Sequence, residues 1–283
     1  MRFFLCAFLF CFEAFGGMPT ASPTATTIPF EYSEGLLWIK VQVPQSARPL
    51  NFLFDTGAGL SVINNDTARA LGLKTGNSIS VQGVHATMTG YWPTRLTAAG
   101  GLDLPSEYLA LDLSKLSHSC KRPLDGLLGA DFIQGRVVEI DFASHQLRFL
   151  DAVSAVKSDT MLPLKVCDSS LCIPIRVNNR RLQWMRLDTG CATALQWVTS
   201  DIKTTPRSDR PAIGLTELAI PQAETTVFLG GKRFEHVPTG IHGNAIFPGE
   251  AGLVGNDLLS RFKTVIIDAK AGWLILSQPQ SSN

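Results

Sequence analysis

Two short acidic motifs hold the residues whose types and spacing suggest chemistry. The run Asn51–Leu60 reads N-F-L-F-D-T-G-A-G-L, so an apolar stretch delivers the carboxylate of Asp55 into a Thr-Gly turn. The run Trp184–Thr193 reads W-M-R-L-D-T-G-C-A-T and presents Asp188 in the same way. A single D-T-G is weak evidence, because Asp, Thr and Gly are ordinary turn residues. Two such motifs, each at the end of an apolar strand, indicate a functional pair.

The chemistry open to such a pair is hydrolysis without a metal or a covalent nucleophile. Two carboxylates around one water can activate the water and polarise a carbonyl, provided that they share one proton. Like charges at hydrogen-bonding distance cannot both ionise cheaply, so their pKa values separate. The sequence therefore predicts Asp55 and Asp188 as catalytic residues that need no cofactor. The five histidines show no metal-ligand spacing, and we expect no metal site.

The two motifs belong to a longer repeat. Four blocks recur in the same order: Ile28-Pro29-Phe30 with Leu162-Pro163-Leu164, Asp55 with Asp188, Gly126–Gly129 with Gly252–Gly255, and Ile140-Asp141 with Ile267-Asp268. Two copies of this length are not a solenoid. The pattern predicts an internal duplication that forms two similar lobes, facing each other across a pseudo-two-fold axis.

This arrangement resembles the aspartic peptidase pattern, in which D-T-G follows an apolar strand and an apolar-apolar-Gly block comes later. Ala58 after the first motif and the segment Val62–Leu73 are most similar to bacterial retropepsin-like proteins. The resemblance covers roughly residues 28–150 and 162–276. It departs from the family pattern at Cys191 and in the segment Gln196–Pro211, which lacks an A-x-x-L-G-L helix.

The resemblance implies a fold and roles for the residues around each Asp. We expect an all-β protein with two acid-protease-like β-barrel lobes and a few short helices, in agreement with the low helical content of the sequence. The family pattern implies that the Gly57 and Gly190 amides steady the carboxylates. It also implies that the Thr56 and Thr189 hydroxyls form hydrogen bonds across the lobe interface. In this family, one dyad of Asp residues shares a proton during hydrolysis.

Further expectations concern the surroundings of the two motifs. Gly129 and Gly255 follow buried apolar residues and are expected to allow another backbone, that of the D-T-G loop, to approach closely. The family layout places a flap over the substrate, and His85–Gly90 is our candidate for its tip. Leu215–Ala223 and Thr225–Leu229 are candidates for the second lobe's flap, with a hairpin turn at Gly230-Gly231-Lys232.

The local pattern also predicts short helices. Asp66 or Thr67 can cap a helix that continues through Leu71 and stops at Gly72. Short helices are expected over two further segments, Ala130–Gln134 and Asn256–Phe262. The polar segment Ser114–Pro123 is predicted as a loop.

Length and composition limit the classes of function. The chain has 283 residues, a net charge of +1, 45% hydrophobic residues and 17% charged residues. A core large enough for two β domains is expected, and the basic residues do not cluster for nucleic-acid binding. The expected units are a signal peptide at 1–17, a polar linker at 18–27, an N-terminal retropepsin-like lobe at 28–152, an inter-lobe linker at 153–161 and a C-terminal retropepsin-like lobe at 162–278. Because one chain carries both motifs, we expect a monomer.

The N-terminus and the cysteines predict export. Met1-Arg2 precedes the apolar run Phe3–Phe12, which has the length of a signal peptide and is too short to span a bilayer. We expect a periplasmic or secreted protein with no stable membrane span after signal removal.

Cys167 and Cys172 flank a segment that aligns with the Glu34-Gly35 turn of the first repeat. Two strands joined by such a turn would place these cysteines opposite each other, and an exported protein permits a disulfide. Cys120 and Cys191 are left either paired or free.

Taken together, the residues and the resemblance predict an exported aspartic endopeptidase that acts on peptide or protein substrates. Two alternatives remain open at this point. One is a non-catalytic peptide-binding module on the same fold, which Cys191 beside the second Asp keeps under consideration. The other is a structural envelope protein, which would not need a matched pair of Asp residues.

Overall fold

The computed structural model describes residues 26–83, 86–98, 103–153, 160–203 and 220–277. Its first half contains the strands β1 (Thr27–Ser33), β2 (Leu36–Val41), β3 (Leu50–Phe54), β4 (Val62–Asn64), β5 (Asn77–Gly83), β6 (Ala86–Arg95), β7 (Glu107–Leu111), β8 (Gly126–Leu128), β9 (Val137–Asp141) and β10 (Gln146–Leu150). Its second half contains β11 (Thr160–Pro163), β12 (Lys165–Cys167), β13 (Ser170–Val177), β14 (Gln183–Leu187), β15 (Leu195–Val198), β16 (Gln222–Leu229), β17 (Lys232–His242), β18 (Gly252–Val254), β19 (Thr264–Asp268) and β20 (Trp273–Leu276). The short helices are α1 (Asn65–Ala70), α2 (Ser114–Ser119), α3 (Ala130–Ile133) and α4 (Asn256–Leu259).

Alternating side chains explain why the strands form and which face they bury. In β2, Ile39 and Val41 are fully buried while Lys40 between them is exposed. This period of two is the geometry of a strand. At the start of β2 the other face is covered as well, because Leu36 and Trp38 are buried in a second hydrophobic cluster. β3 pairs antiparallel with β2 and buries Phe52 and Phe54 in the same core. The prediction of an all-β fold is therefore confirmed.

The two halves have the same strand order. The first lobe runs β1-β2-β3-β8-β4-β7-β6, and the second runs β12-β13-β14-β18-β15-β17-β16. In each lobe the strand that leads into D-T-G pairs in parallel with the apolar-Gly strand, with Phe54 opposite Leu128 and Leu187 opposite Val254. Each Asp consequently emerges at an equivalent point of its lobe.

A further sheet connects the lobes. Its strands follow the order β11-β20-β19-β9-β10-β1, so strands of the second half pair directly with strands of the first. The junction is the antiparallel pair β9 and β19, in which Ile140 lies opposite Val265. Hydrogen bonds of a continuous sheet thus join the two lobes and set their relative position.

Helix α1 begins two or three residues earlier than predicted. Asn64 is the N-cap, and its side chain accepts a hydrogen bond from the Asp66 amide at 3.4 Å. The predicted caps Asp66 and Thr67 are wrong, because the Thr67 hydroxyl instead donates to Asp125 at 2.8 Å. Gly72 ends the helix as predicted, in the left-handed conformation with φ +67°.

The other helices differ from the sequence prediction mainly in extent. The segment Ser114–Pro123 was predicted as a loop, but α2 occupies its first six residues. The sequence S-K-L-S-H-S has no apolar periodicity that would indicate a helix, because Leu116 is the one side chain that α2 buries. Helices α3 and α4 are each shorter than predicted, since they end at Ile133 and Leu259.

Candidate active site

Each Asp stands at the end of a strand whose neighbour fixes the backbone. The Asp55 amide donates to the Leu128 carbonyl at 2.9 Å, and the Asp188 amide donates to the Val254 carbonyl at 2.9 Å. These bonds extend the parallel pairs β3–β8 and β14–β18 by one residue. The two D-T-G loops therefore leave rigid, buried strands.

The threonines of the two loops exchange hydrogen bonds across the lobe interface. The Thr56 amide donates to the Thr189 hydroxyl oxygen at 3.0 Å, and the Thr189 amide donates to that of Thr56 at 3.1 Å. The Thr56 hydroxyl donates to the Leu187 carbonyl and the Thr189 hydroxyl to the Phe54 carbonyl, each at 2.8 Å. Both threonines are fully buried. Every polar atom of this symmetric network is satisfied, so it holds the loops in one arrangement.

The two carboxyl groups meet at the centre of this network, where each is close enough to interact with the other. Asp55 Oδ1 accepts from the Gly57 and Ala58 amides at 3.0 and 3.1 Å. Asp188 Oδ1 accepts from the Gly190 amide at 2.9 Å. A Cβ at Gly57 would collide with the Asp188 carboxyl group, and one at Gly190 would collide with that of Asp55. Each carboxylate thus lies over the glycine of the opposite loop.

The protonation of the pair follows from its surroundings. Burial raises the pKa of Asp55, although the amides of Ala58 and Gly57 favour its charged form. Burial and the neighbouring charge of Asp55 raise the pKa of Asp188 well above its usual range. Asp55 accepts from two backbone amides and Asp188 from one, so the backbone favours the charged form more strongly at Asp55.

Gly129 and Gly255 allow the apolar-Gly strands to touch the D-T-G loops. A Cβ at Gly129 would meet the Leu60 backbone, and one at Gly255 would meet the backbone of Thr193. The backbone amide of the residue after each glycine donates to the same loop. The Ala130 amide donates to the Ala58 carbonyl at 2.7 Å, and the Asn256 amide donates to the Cys191 carbonyl at 2.8 Å. These close approaches are the ones that the sequence predicted for both glycines.

Two hairpin turns from opposite lobes clamp the loops from outside. Gly35, in the β1–β2 turn, packs against Ala192 beside the second D-T-G. Its counterpart Ser169, in the β12–β13 turn, packs against Gly59 beside the first. The hydroxyl of Ser170 then donates to the Thr56 carbonyl at 2.9 Å. At each contact a glycine on one side makes room for a side chain on the other.

A buried arginine, which the sequence analysis missed, lies beside the pair. Arg186 Nε and Nη2 donate to Glu250 at 2.8 and 2.6 Å, and its Nη1 donates to the Gly57 carbonyl at 2.7 Å. Its guanidinium also stacks 3.6 Å from the centroid of Phe247. The first lobe has Leu53 at the matching position two residues before Asp. That mismatch between otherwise similar repeats is the signal that could have singled out Arg186.

The pair opens into a cavity of about 360 Å³ between the lobes. The first-lobe wall is mainly apolar and includes Leu60, Leu111, Leu116 and Leu127. Phe247 and the Arg186 guanidinium line the second-lobe side. A cleft of this size with a few convergent polar groups suits an extended ligand segment with large side chains.

The β5–β6 hairpin covers the first-lobe side of the cavity. Residues 79–83 of β5 line it, which is the position expected for a flap. Gly83 pairs with Ala86 at the end of the described part of this hairpin. Of the predicted tip His85–Gly90, His85 lies outside the described residues. Gly90 is not at the tip, because it pairs with Ile79 within the strands.

The described part of the second predicted flap does not cover the cavity. β16 and β17 do form a hairpin with its turn at Gly230-Gly231, and residues 215–219 lie outside the described part of the chain. However, Gly230 packs against Thr160 at the start of β11. Among the described residues, no member of this hairpin lines the cavity. β16 takes the place of β6 in the strand order, so this turn corresponds to the β6–β7 connection.

The cysteines fall into one bonded pair and two separate thiols. Cys167 and Cys172 form a disulfide across the β12–β13 hairpin, as predicted, and Cys120 and Cys191 are free. The buried Cys191 sulfur lies 3.2 Å from the Thr193 hydroxyl oxygen. Burial raises the pKa of the Cys191 thiol to about 12, so the thiol stays protonated beside Asp188.

Comparison with known proteins identifies the fold. Residues 39–132 match the family described as aspartyl protease. The crystal structure of aspartic proteinase from Irpex lacteus superposes with a TM-score of 0.56 at 14% identity, covering 90% of this chain and 98% of that one. The chain has the aspartic peptidase fold. No curated protein sequence matches the chain.

The described residues contain neither a metal-binding cluster nor a helix that could span a membrane. Within the described ranges, no three or more His, Cys, Asp or Glu side chains are grouped so that they could hold a metal ion. No helix among those residues has the length and apolar character needed to cross a membrane.

Proposed function

We propose that the chain is an exported aspartic endopeptidase with Asp55 and Asp188 as its catalytic residues. The observation that carries this proposal is the contact between the two carboxyl groups at the bottom of an inter-lobe cavity. The raised pKa values of both residues, due first to burial, favour a pair that keeps one proton. Such a pair can act as base and acid in one step.

The contacts of the two residues suggest a division of roles. Asp55, held by two backbone amides, takes a proton from a water molecule that attacks the peptide carbonyl carbon. Asp188 gives its proton to the carbonyl oxygen as the tetrahedral diol forms. Asp55 then gives its proton to the nitrogen as the C–N bond breaks, and Asp188 takes a proton back from one hydroxyl of the diol, so that the products are an amine and a carboxylic acid. Water is the only co-reactant, and both carboxyl groups end in their starting form.

Other features support an endopeptidase in particular. The cavity lies between the lobes and beneath a hairpin, so a substrate chain can pass through with its ends free. Export is proposed from the apolar run Phe3–Phe12, which lies outside the described residues, and agrees with the disulfide. We propose a monomer, because a single chain supplies both carboxyl groups.

A cleavage assay on a denatured protein mixture tests the function. The purified protein should generate new peptide termini, and its activity should extend to higher pH than two Asp residues with ordinary pKa values would allow, because both pKa values are raised. Mass spectrometry identifies the termini. A protein that binds denatured chains but produces no new termini at any pH would be a peptide-binding module instead.

A further inference from the structure

A carboxylate outside the catalytic pair also lines the cavity. Asp168, in the β12–β13 turn, is exposed and forms part of the same cavity wall as Asp55 and Asp188. It forms no ion pair with any described residue. Its charge is therefore available to a ligand that enters the cleft.

The turn that bears Asp168 is firmly held. The Cys167–Cys172 disulfide closes its base, and the Ser170 hydroxyl bonds to the Thr56 carbonyl at 2.9 Å. Ser169 packs against Gly59 next to the first D-T-G. Asp168 itself has a φ of +40°. These contacts fix the Asp168 backbone relative to the catalytic loops, so its carboxylate has a defined place in the cleft.

The other charges of the described cavity wall do not neutralise Asp168. Arg186 is already engaged, because Glu250 binds two of its nitrogens and the Gly57 carbonyl accepts from the third. The catalytic pair with one proton carries a single negative charge. No lysine and no second arginine occurs among the described lining residues. The cleft is thus electronegative, and a cation that enters it meets Asp168 without a competing partner.

We infer that the cleft selects peptide substrates with a Lys or Arg side chain seated at Asp168. This inference rests on the proposed peptidase function and names its substrate class. Leu60, which is 38% exposed, also lines the cavity and offers apolar surface for the aliphatic part of such a side chain. The carboxylate would then pair with the charged end.

The first lobe provides an internal control. Glu34 occupies the matching position of the β1–β2 turn, is exposed and has a φ of +52°. It is not part of the described cavity wall. The two hairpins are therefore alike in shape and charge, but only the second presents its carboxylate to the cleft.

The test compares peptides that differ in one charge. A peptide cleaved by the protein is resynthesised with Lys or acetyl-lysine at each position around the cleaved bond, and kcat/KM is measured at pH about 6, where an ordinary carboxylate is ionised. At one position, Lys should be preferred by about two- to fivefold, as for an exposed ion pair. The preference should shrink in 0.5 M salt, at which the screening length is only about 4–5 Å.

Two single variants test whether Asp168 causes the preference for Lys. Asp168→Asn should abolish the preference while preserving cleavage of the acetyl-lysine peptide, because Asn readily adopts a positive φ. Glu34→Gln should retain the preference. Equal rates for the two peptides at every position, or a preference that survives Asp168→Asn, would overturn the inference.

A binding measurement separates this inference from the proposed function. Peptides of apolar sequence that carry a single Lys or acetyl-lysine are titrated against the Asp188→Asn variant by fluorescence anisotropy, whether or not the wild-type protein cleaves them. If the wild-type protein cleaves nothing but the Lys peptide binds more tightly than its acetylated form, the peptidase proposal fails and the charge selection stands. Equal binding of both peptides would count against Asp168 even without turnover.

Discussion

At the scale of single residues, Asp55 and Asp188 are matched in sequence but differ in environment. Asp55 accepts two backbone hydrogen bonds on one oxygen and Asp188 accepts one. Since amide donors favour the charged form, this difference supports the proposed role of Asp55 as the base. A repeat that looks symmetric in sequence thus yields an asymmetric pair.

The raised pKa of Asp188 predicts a pH-dependent cost in stability. A carboxyl group whose pKa is higher in the folded state stabilises the fold below its unfolded pKa, and that stability is lost as pH rises through the folded pKa. Asp188→Asn cannot ionise and keeps an oxygen for the Gly190 amide. It should be about 1–2 kcal/mol more stable than wild type at pH 7, and equally stable near pH 3. Urea unfolding across this pH range measures the difference, and a constant difference at all pH values would contradict it.

Arg186 should set the alkaline limit of activity. Its positive charge lowers the pKa of both Asp residues, and the charged or aromatic groups around it are Glu250, Phe247 and the pair itself. Removing Arg186 alone would leave Glu250 buried and unpaired, at a cost of about 3–5 kcal/mol. The double variant Arg186→Met/Glu250→Gln avoids this cost.

The alkaline limb of the pH–rate profile should therefore move to higher pH in the double variant. Arg186→Lys keeps the charge but loses the forked contact with Glu250. The alkaline limb of the Arg186→Lys variant should stay near that of wild type, while the turnover of this variant falls. A limb that moves to lower pH in the double variant would show that Arg186 does not act on the pair through its charge.

At the scale of elements, short hairpins and apolar-Gly strands build the site. The β12–β13 hairpin brings Cys167 and Cys172 to a Cα–Cα distance of 6.0 Å, which suits a disulfide. Mass spectrometry of non-reduced peptides should find these two cysteines linked. Linkage of either one to Cys120 or Cys191 would refute the hairpin arrangement.

The sequence predicted those elements that carry a strong local pattern. The alternation in β2, the apolar runs before each Asp and the glycines after the apolar strands all follow from burial and close backbone approach. Helix α2 was missed because only one of its side chains is buried. The cap of α1 was misplaced by two or three residues because four polar residues in a row, 64–67, can each accept a capping bond.

Contacts between distant segments were the least predictable part of the site. The partners of Arg186 lie 64 residues away at Glu250 and 129 residues away at Gly57. Neither contact produces a repeating pattern in the sequence from which it could be predicted. The second flap was misplaced for a similar reason, since only the strand order shows which turn of the second lobe corresponds to β5–β6.

At the scale of the whole molecule, one chain supplies both halves of the site. The same strand order in both lobes supports the proposed internal duplication. The hydrogen-bonded pair β9–β19 joins the two lobes in a single sheet. Turnover per molecule should consequently stay constant on dilution, as measured by activity from micromolar to nanomolar protein. Activity that disappears together with a shift in sedimentation would instead indicate a dimeric enzyme.

The central claim is that Asp55 and Asp188 act together, and its most direct test is the turnover of two single variants. Asp55→Asn and Asp188→Asn should each lower kcat by about 10²–10⁴-fold, because each removes one partner of the acid–base pair. Both variants should retain the wild-type circular dichroism spectrum and cooperative unfolding. Near-native turnover by either folded variant would contradict the assignment of the pair.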